Sequence, residues 1–255
     1  LACIPTNASG KAQLLVKEDG IIAGIDISIQ IFKEFDTSFE IESILKDGDK
    51  VKFGDVAFIV SGPSIALLSA ERLVLNVMQR MSAIATLTNK YVEALEGLST
   101  KVLDTRKTTP LIRFLEKEAV RIGGGVNHRY GLYDMVMLKD NHNDFAGGIE
   151  KSINKTVQYL KDNKLNLKIE VETRNLEEVK DVLKIGQVDR IMLDNFSYDD
   201  MKKAVQLIDG KYETEASGGI NLKTIRKYAE CGVDYVSVGA LTHSVSNMDL
   251  SLKAI

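Results

Sequence analysis

From residue 100 onward, short β-rich apolar runs recur along the chain. They are Lys101 to Leu103, Met135 to Leu138, Leu167 to Val171, Arg190 to Leu193, Tyr212 to Glu215 and Tyr235 to Val238. Measured at Leu103, Leu138, Val171, Leu193, Glu215 and Val238, the gaps are 35, 33, 22, 22 and 23 residues. A strand, a helix and two short loops fill about 22 residues, so the last three gaps are compact βα units. The segments between the runs read as helices. Leu176 to Ile185 follows Asn175, with Glu178 placed as in a capping box. Asp199 to Ile208 carries Met201, Ala204, Val205 and Ile208 on one face, and Leu222 to Ala229 follows Asn221 and ends at Cys231-Gly232. Strands joined through helices run parallel. The expectation is a parallel α/β sheet of six strands, open or closed, with a place for a seventh near Ala119 to Ile122.

The first hundred residues keep a different rhythm. Lys11 to Val16 leads into a turn at Lys17 to Gly20, and Ile41 to Leu45 ends at Asp47-Gly48-Asp49. Ile25, Ile27, Ile29 and Ile31 alternate with polar residues, the pattern of a half-buried strand or of a short helix edge. Val51 to Val60 closes at Ser61-Gly62-Pro63. Ser64 to Gly97 then has no proline and no internal glycine, with Leu67, Leu68, Leu75, Met78, Ile84 and Leu87 near a helical period. One long helix or two short ones both fit. The domains expected are 1–98, an α/β sandwich with a long helix, and 99–255, the barrel-type domain. The extreme C-terminus is free to pack back on the sandwich.

Composition narrows the function. The 255 residues carry a net charge of −3, without the basic excess of a duplex-binding protein, so no nucleic-acid partner is expected. No apolar run is long enough for a membrane helix, and no signal peptide is visible, so the expected location is the cytoplasm. Two cysteines, Cys3 and Cys231, make no disulfide framework, and no spacing suits zinc.

Each expected strand ends in chemistry. The ends read Asp104-Thr105-Arg106-Lys107, then Lys139-Asp140-Asn141-His142, then Glu170 and Glu172, then Asp194-Asn195, then Ser217-Gly218-Gly219, and finally Gly239-Ala240. Polar residues that merely start loops would explain one such end. Six in register suggest the C-terminal face of a parallel sheet, where sites are built. Gly218-Gly219 and Gly239-Ala240 resemble a phosphate grip, against two ordinary tight turns. There is neither a GxGxxG nor a P-loop motif. Arg72, Arg106, Arg113, Arg121 and Arg129 fall between positions 72 and 129, and Lys107, Lys139 and His128 join the same loops. Together they suggest a pocket for a multiply anionic substrate. Glu172 and Asp194 suit Mg²⁺ held against a polyphosphate, or contacts to sugar hydroxyls. A glycosidase pair is the competitor, disfavoured by the surrounding cations.

These motifs carry a resemblance. Asp104-Thr-Arg-Lys-Thr-Thr-Pro110, Gly123-Gly-Gly-Val-Asn-His-Arg129, Leu138-Lys-Asp-Asn-His142, Met192-Leu-Asp-Asn195, Glu215-Ala-Ser-Gly-Gly-Ile220 and Ser237-Val-Gly-Ala-Leu-Thr242 stand in the order of the quinolinate phosphoribosyltransferase family, as does Glu71-Arg72. The resemblance implies an N-terminal α/β sandwich and an open (β/α) barrel of six or seven parallel strands, as in type II phosphoribosyltransferases. It implies conversion of quinolinate and phosphoribosyl pyrophosphate to nicotinate mononucleotide, CO2 and pyrophosphate with Mg²⁺, in de novo NAD synthesis. It also implies a homodimer, or a dimer-based higher oligomer, with shared sites. Arg72 from the partner, with Arg106, His128, Arg129 and Lys139, would bind the quinolinate carboxylates. Lys107, Glu172, Asp194, Ser217, Gly218, Gly219, Gly239 and Ala240 would serve the phosphoribosyl side, Glu172 and Asp194 holding the metal partly through water. Leu111 replaces the family's usual glycine, and the N-terminus is short against the family pattern.

Two other readings compete: a paralogue acting on nicotinate or an unassigned substrate, and a non-catalytic sensor of a phosphorylated ligand. The full basic set favours quinolinate, and the Glu172–Asp194 pair argues against simple sensing.

Overall fold

The computed structural model describes residues 2–255. In chain order the elements are β1 (Ser9–Val16), β2 (Gly20–Ile21), α1 (Ile25–Phe35), β3 (Glu40–Ser43), β4 (Lys50–Val51), β5 (Val56–Pro63), α2 (Ser64–Ala94), β6 (Lys101–Leu103), α3 (Arg113–Ile122), β7 (Val136–Leu138), α4 (Asp140–Ala146), α5 (Ile149–Asp162), β8 (Ile169–Thr173), α6 (Leu176–Ile185), β9 (Arg190–Asp194), α7 (Tyr198–Ile208), β10 (Glu213–Ser217), α8 (Ile225–Ala229), β11 (Tyr235–Ser237), α9 (Ala240–His243) and β12 (Leu250–Ala254). They form two compact units. One holds the chain up to Lys90, Thr108–Gly125 and Leu241–Ile255, and the other holds Tyr91–Lys107 and Val126–Ala240.

The first unit is built on an antiparallel sheet in the order β12-β1-β5-β3. Along β1, Ala12, Leu14 and Val16 are buried in alternation, so one face packs inward. Phe32, Phe39 and Phe58 meet there, with ring centroids 5.3 and 6.1 Å from Phe32. The alternating isoleucines are not a strand but α1. Its buried positions are Ile25, Ser28 and Phe32, a helical stripe. Isoleucines two apart also fall four apart, so Ile25 and Ile29 share a helix face. Asp47 starts the helix by accepting the Ile25 N–H at 2.8 Å.

The stretch from Ser64 is one helix of 31 residues. Leu67, Ala70, Val74, Leu75, Met78 and Met81 are buried within the chain, while Leu68 and Leu73 stay exposed. Intrachain burial therefore accounts for most of the apolar surface of α2.

The second unit contains a six-stranded parallel sheet in the order β6-β11-β10-β9-β8-β7. From β7 to β11 every step moves in the same direction. Right-handed crossovers then place the helices on one face, the winding of a barrel rather than of a doubly wound sheet. The first strand, β6, lies beside the last, and β6 and β7 occupy opposite edges, so the barrel is open. The residues expected as a seventh strand, Ala119 to Ile122, lie in α3, because Leu115, Ala119 and Val120 are spaced for a helix face. An isolated parallel bridge from Leu103 to Val126 takes that strand's place. The expected helix after Asn221 starts late. Asn221 makes a turn with Thr224, and α8 begins at Ile225. Asn175 caps α6 as expected by accepting the Glu178 N–H, but Glu178 bonds back to the Arg174 N–H, one residue before the cap. Among the described residues no helix is long and apolar enough to cross a membrane.

Candidate active site

Sheet register places the chemistry at one level. Ser217 pairs with Asp194, Thr173 with Leu193, Leu138 with Val171 and Ser237 with Leu103. The C-terminal strand ends therefore carry Arg106, Lys107, Lys139, Glu172, Asp194, Ser217–Gly219 and Gly239–Ala240 to a common rim. Period-two alternation turns Glu170 and Glu172, Arg190 and Asp194, and Glu215 and Ser217 to the same face of the sheet.

His128 and Arg129 join this rim through the segment after the Val126 bridge. The Val126 N–H donates to the Val102 carbonyl at 2.8 Å, and the buried Asp104 carboxylate accepts the His128 N–H at 2.8 Å. Arg129 donates to the Met135 carbonyl at 3.2 Å. Burial and the neighbouring Arg106 guanidinium both lower the Arg129 pKa. The two guanidinium groups thus stand near enough to repel, a strain that a bound dianion would relieve.

The His128 ring sits in a buried acidic cradle. Its Nε2 is 3.1 Å from Glu170 Oε2 and 3.3 Å from Glu215 Oε2, and its Nδ1 accepts the Arg129 N–H at 2.6 Å. Arg190 lies 3.0 Å from Glu215, 3.9 Å from Glu170 and 3.0 Å from Glu213, with its guanidinium over the Tyr235 ring. Burial lowers the His128 pKa, but the two carboxylates outweigh it and bring it up to about 9. Burial and the Glu215 charge push Glu170 up to about 7. The Nδ1 hydrogen bond needs a lone pair there. It therefore places the ring proton on Nε2 and the cluster's further proton on the acidic side. The groups titrate as one unit.

On the other side of the rim, Lys139 Nζ is 3.6 Å from Glu172 Oε2. Burial, Asp194 and Asp140 raise the Glu172 pKa against the pull of Lys139. Glu172 is buried and Asp194 half-buried, and two carboxylates near enough to repel offer hard oxygen donors of the kind that suit Mg²⁺. Gly218 has φ +99°, and a Cβ there would collide with Asn195. Gly219 follows at φ +61° with open space around it. The turn after β10 thus needs glycine for both its backbone shape and its close approach to β9. Arg72 is exposed on α2, in the first unit.

Family models named Quinolinate phosphoribosyl transferase match residues 1–82 with their N-terminal domain and residues 84–253 with their C-terminal domain. The chain belongs to the quinolinate phosphoribosyltransferase family. A Nicotiana glauca relative, quinolinate phosphoribosyltransferase [decarboxylating] 2, mitochondrial, is 48% identical over 99% of this chain and 75% of that protein. A probable nicotinate-nucleotide pyrophosphorylase [carboxylating] of Bacillus subtilis is 43% identical over 96% and 83%. Among solved structures, NadC from Streptococcus pyogenes superposes with a TM-score of 0.92 at 39% identity, covering all of this chain and 90% of that one.

Within this quinolinate phosphoribosyltransferase-family site, sequence reasoning passed over Glu215 and Arg190 and noted Glu170 only as a strand-end residue. A signal was present. A central strand of a parallel sheet is covered on both faces, so charged side chains in β8, β9 and β10 must meet partners.

Proposed function

We propose that the chain transfers a phosphoribosyl group from phosphoribosyl pyrophosphate to quinolinate with decarboxylation, giving nicotinate mononucleotide, CO2 and pyrophosphate. The observation that carries this reading is that Arg106 and Arg129, near enough to repel, share a strand-end rim with Lys139 and with the turn at Gly218, where a Cβ would collide with Asn195. A substrate with two adjacent carboxylates matches the first feature, and a phosphorylated sugar matches the second.

The residues divide the work. Arg106, Arg129 and Lys139 hold the ring carboxylates and point the pyridine nitrogen at the anomeric carbon. As the bond to pyrophosphate breaks, positive charge builds on the ribose, which Glu172 and Asp194 stabilise. Lys107 and the Ser217–Gly219 turn hold the phosphate groups. After the N-glycosidic bond forms, the bond from C2 to its carboxylate breaks. CO2 leaves, the electron pair stays at C2 beside the cationic nitrogen, and C2 then takes up a proton. Glu172 and Asp194 would hold Mg²⁺, which when bound offsets the pyrophosphate charge. Asp194→Ala should lower Mg²⁺-dependent turnover by about 10- to 1000-fold while the protein stays folded. Unchanged kcat/KM would remove Asp194 from the site.

The active assembly is a homodimer, or an oligomer of dimers, in which the partner's Arg72 completes the ring side. The proposed compartment is the cytoplasm, where Cys3 and Cys231 would remain free thiols; cell fractionation checks it. The decisive assay offers quinolinate or nicotinate, each with phosphoribosyl pyrophosphate and Mg²⁺. Release of CO2 from quinolinate supports the reading. Turnover of nicotinate alone, or binding without turnover, overturns it.

A further inference from the structure

The cluster of Glu170, Glu215 and Arg190 lies inside the second unit and has no part in the reaction described above. Glu170 and Glu215 are fully buried, and they come from β8 and β10 with β9 between them. Burying two carboxylates costs several kcal/mol each unless they are paired and hydrogen-bonded. A core of apolar side chains would be the simpler way to fill this space.

Three arrangements could justify such a cluster. His128, Glu170 and Glu215 offer ligand atoms within 4.8 Å of one another, as a metal site would. A metal on Nε2 would require the proton on Nδ1, yet Nδ1 accepts the Arg129 N–H. The guanidinium of Arg190 also already stands against Glu215 Oε2 at 3.0 Å, where a metal would need that oxygen. The second arrangement is an ion network that only ties strands together. Arg190 does this by itself, bonding Glu213 and Glu215 from β9 to β10. That role does not require His128, which enters from a loop rather than from a strand.

The third arrangement uses both edges of the His128 ring. The carboxylates stand against the Nε2 edge of the imidazole, 3.1 and 3.3 Å away, and hold that edge electrostatically. The imidazole then presents Nδ1 to the backbone N–H of the next residue, which is Arg129. The Asp104 carboxylate, holding the His128 N–H at 2.8 Å, sets the other end of the same short segment. Arg190 keeps the two carboxylates from repelling each other out of place.

We propose that Glu170 and Glu215 are positioning residues, which orient Arg129 toward the anionic ring substrate by clamping the His128 ring between them. The inference rests on the reading of Arg129 as a carboxylate clamp, and it deepens that reading. The route from strand interior to substrate is carboxylate, imidazole, backbone amide, guanidinium. It bears on the ring substrate, because the route ends at Arg129.

The experiment compares Glu170→Gln, Glu215→Gln and Arg129→Ala with the parent. Quinolinate and phosphoribosyl pyrophosphate binding are read separately by calorimetry, and folding by thermal melting. The protein has three histidines, so ¹⁵N-histidine NMR can read the ring protons, with His142→Gln and His243→Gln leaving one signal to follow. The expected result is that His128 carries its proton on Nε2 and none on Nδ1. Each glutamine variant should weaken quinolinate binding by about 10- to 100-fold, the scale of a clamp misplaced by about 1 Å. Phosphoribosyl pyrophosphate binding should stay within about twofold, since the route ends at Arg129 rather than at Lys107 or the Gly218–Gly219 turn. If Arg129→Ala loses quinolinate and both glutamine variants keep it, the positioning inference fails and the clamp stands. If Arg129→Ala binds quinolinate as the parent does, the clamp reading fails. Equal loss of both substrates marks the cluster as merely structural and overturns the inference. A proton on Nδ1 overturns it too, even if neither glutamine variant folds.

Discussion

Leu111 is exposed and adopts φ +69°, the left-handed region that favours glycine. Such a conformation costs a non-glycine residue about 1–2 kcal/mol. Leu111→Gly removes that strain, loses little packing and gives back about 0.5–1 kcal/mol in unfolded-chain entropy. The net expectation is a gain of up to about 1 kcal/mol, read as a Tm rise of about 2–4 °C. A lower Tm would show that Leu111 makes contacts in the assembly that the single chain does not hold. The buried His128 cluster gives a second expectation at this scale. The coupled cluster around His128 holds its further proton more tightly than the unfolded chain does, so the stabilisation that proton brings is full below about pH 6.5 and is lost as pH rises through about 9. The raised Glu170 acts with the same sign, from its ordinary value near 4.5 up to about 7. Thermal melting should therefore show stability falling between about pH 6.5 and 9. Glu170→Gln should flatten that fall, because a carboxylate that helps hold the cluster's further proton is gone; an unchanged slope would assign the pH dependence to other groups.

Elements of the barrel were legible in the sequence because each encodes itself locally. The runs ending at Val171, Leu193 and Glu215 become strands β8, β9 and β10, and Asn175 marks the start of α6. Where two periods coincide, legibility fails, as with the isoleucines of α1. It fails again where a partner is distant in sequence. Arg80 reads as a polar position on a helix, and Glu116 as one of several charges in α3. In the structure the Glu116 carboxylate is completely buried and accepts from Arg80 Nε at 2.9 Å, Arg80 Nη2 at 2.7 Å, the Thr109 N–H at 2.9 Å and Thr109 Oγ1 at 2.7 Å. Arg80 also donates to the carbonyls of Thr242 and Val245. One ion pair thus ties α2, α3, the Thr109 turn and the segment around α9. No local pattern announces a bond across 36 positions. The site's rim was legible as motifs, whereas the cradle beneath it was not, since the interplay of Glu170, Glu215 and Arg190 depends on strand register. Arg80→Ala leaves a buried carboxylate unpaired, which costs about 3–5 kcal/mol. Urea unfolding should show the midpoint falling accordingly, and Arg80→Ala combined with Glu116→Leu should recover part of the loss. A loss below about 1 kcal/mol would place the pair among weak surface bridges.

At the scale of the whole molecule, the proposed role of Arg72 calls for a second copy of the chain. The buried Leu75, Met78 and Met81 leave little apolar surface on α2 for another chain. In its first half α2 exposes Leu68, Ser69, Arg72, Leu73 and Asn76. Leu68, Arg72 and Asn76 are spaced four apart, so they share one helix face, turned away from the buried stripe. A guanidinium flanked by leucines is the composition of an interface anchor. The other cations proposed for the ring side stand more than thirty residues later, on the barrel rim. A two-fold assembly would build two equivalent sites by exchanging this helix face. Arg72→Ala and Lys139→Ala proteins should each be nearly inactive alone. Refolded together, they should form heterodimers in which one site lacks both residues and the other has both. With half the molecules heterodimeric and one site in two intact, recovery should reach up to about a quarter of parental activity. Absence of recovery, with heterodimers confirmed by mass, would mean that Arg72 and Lys139 of one chain serve the same site.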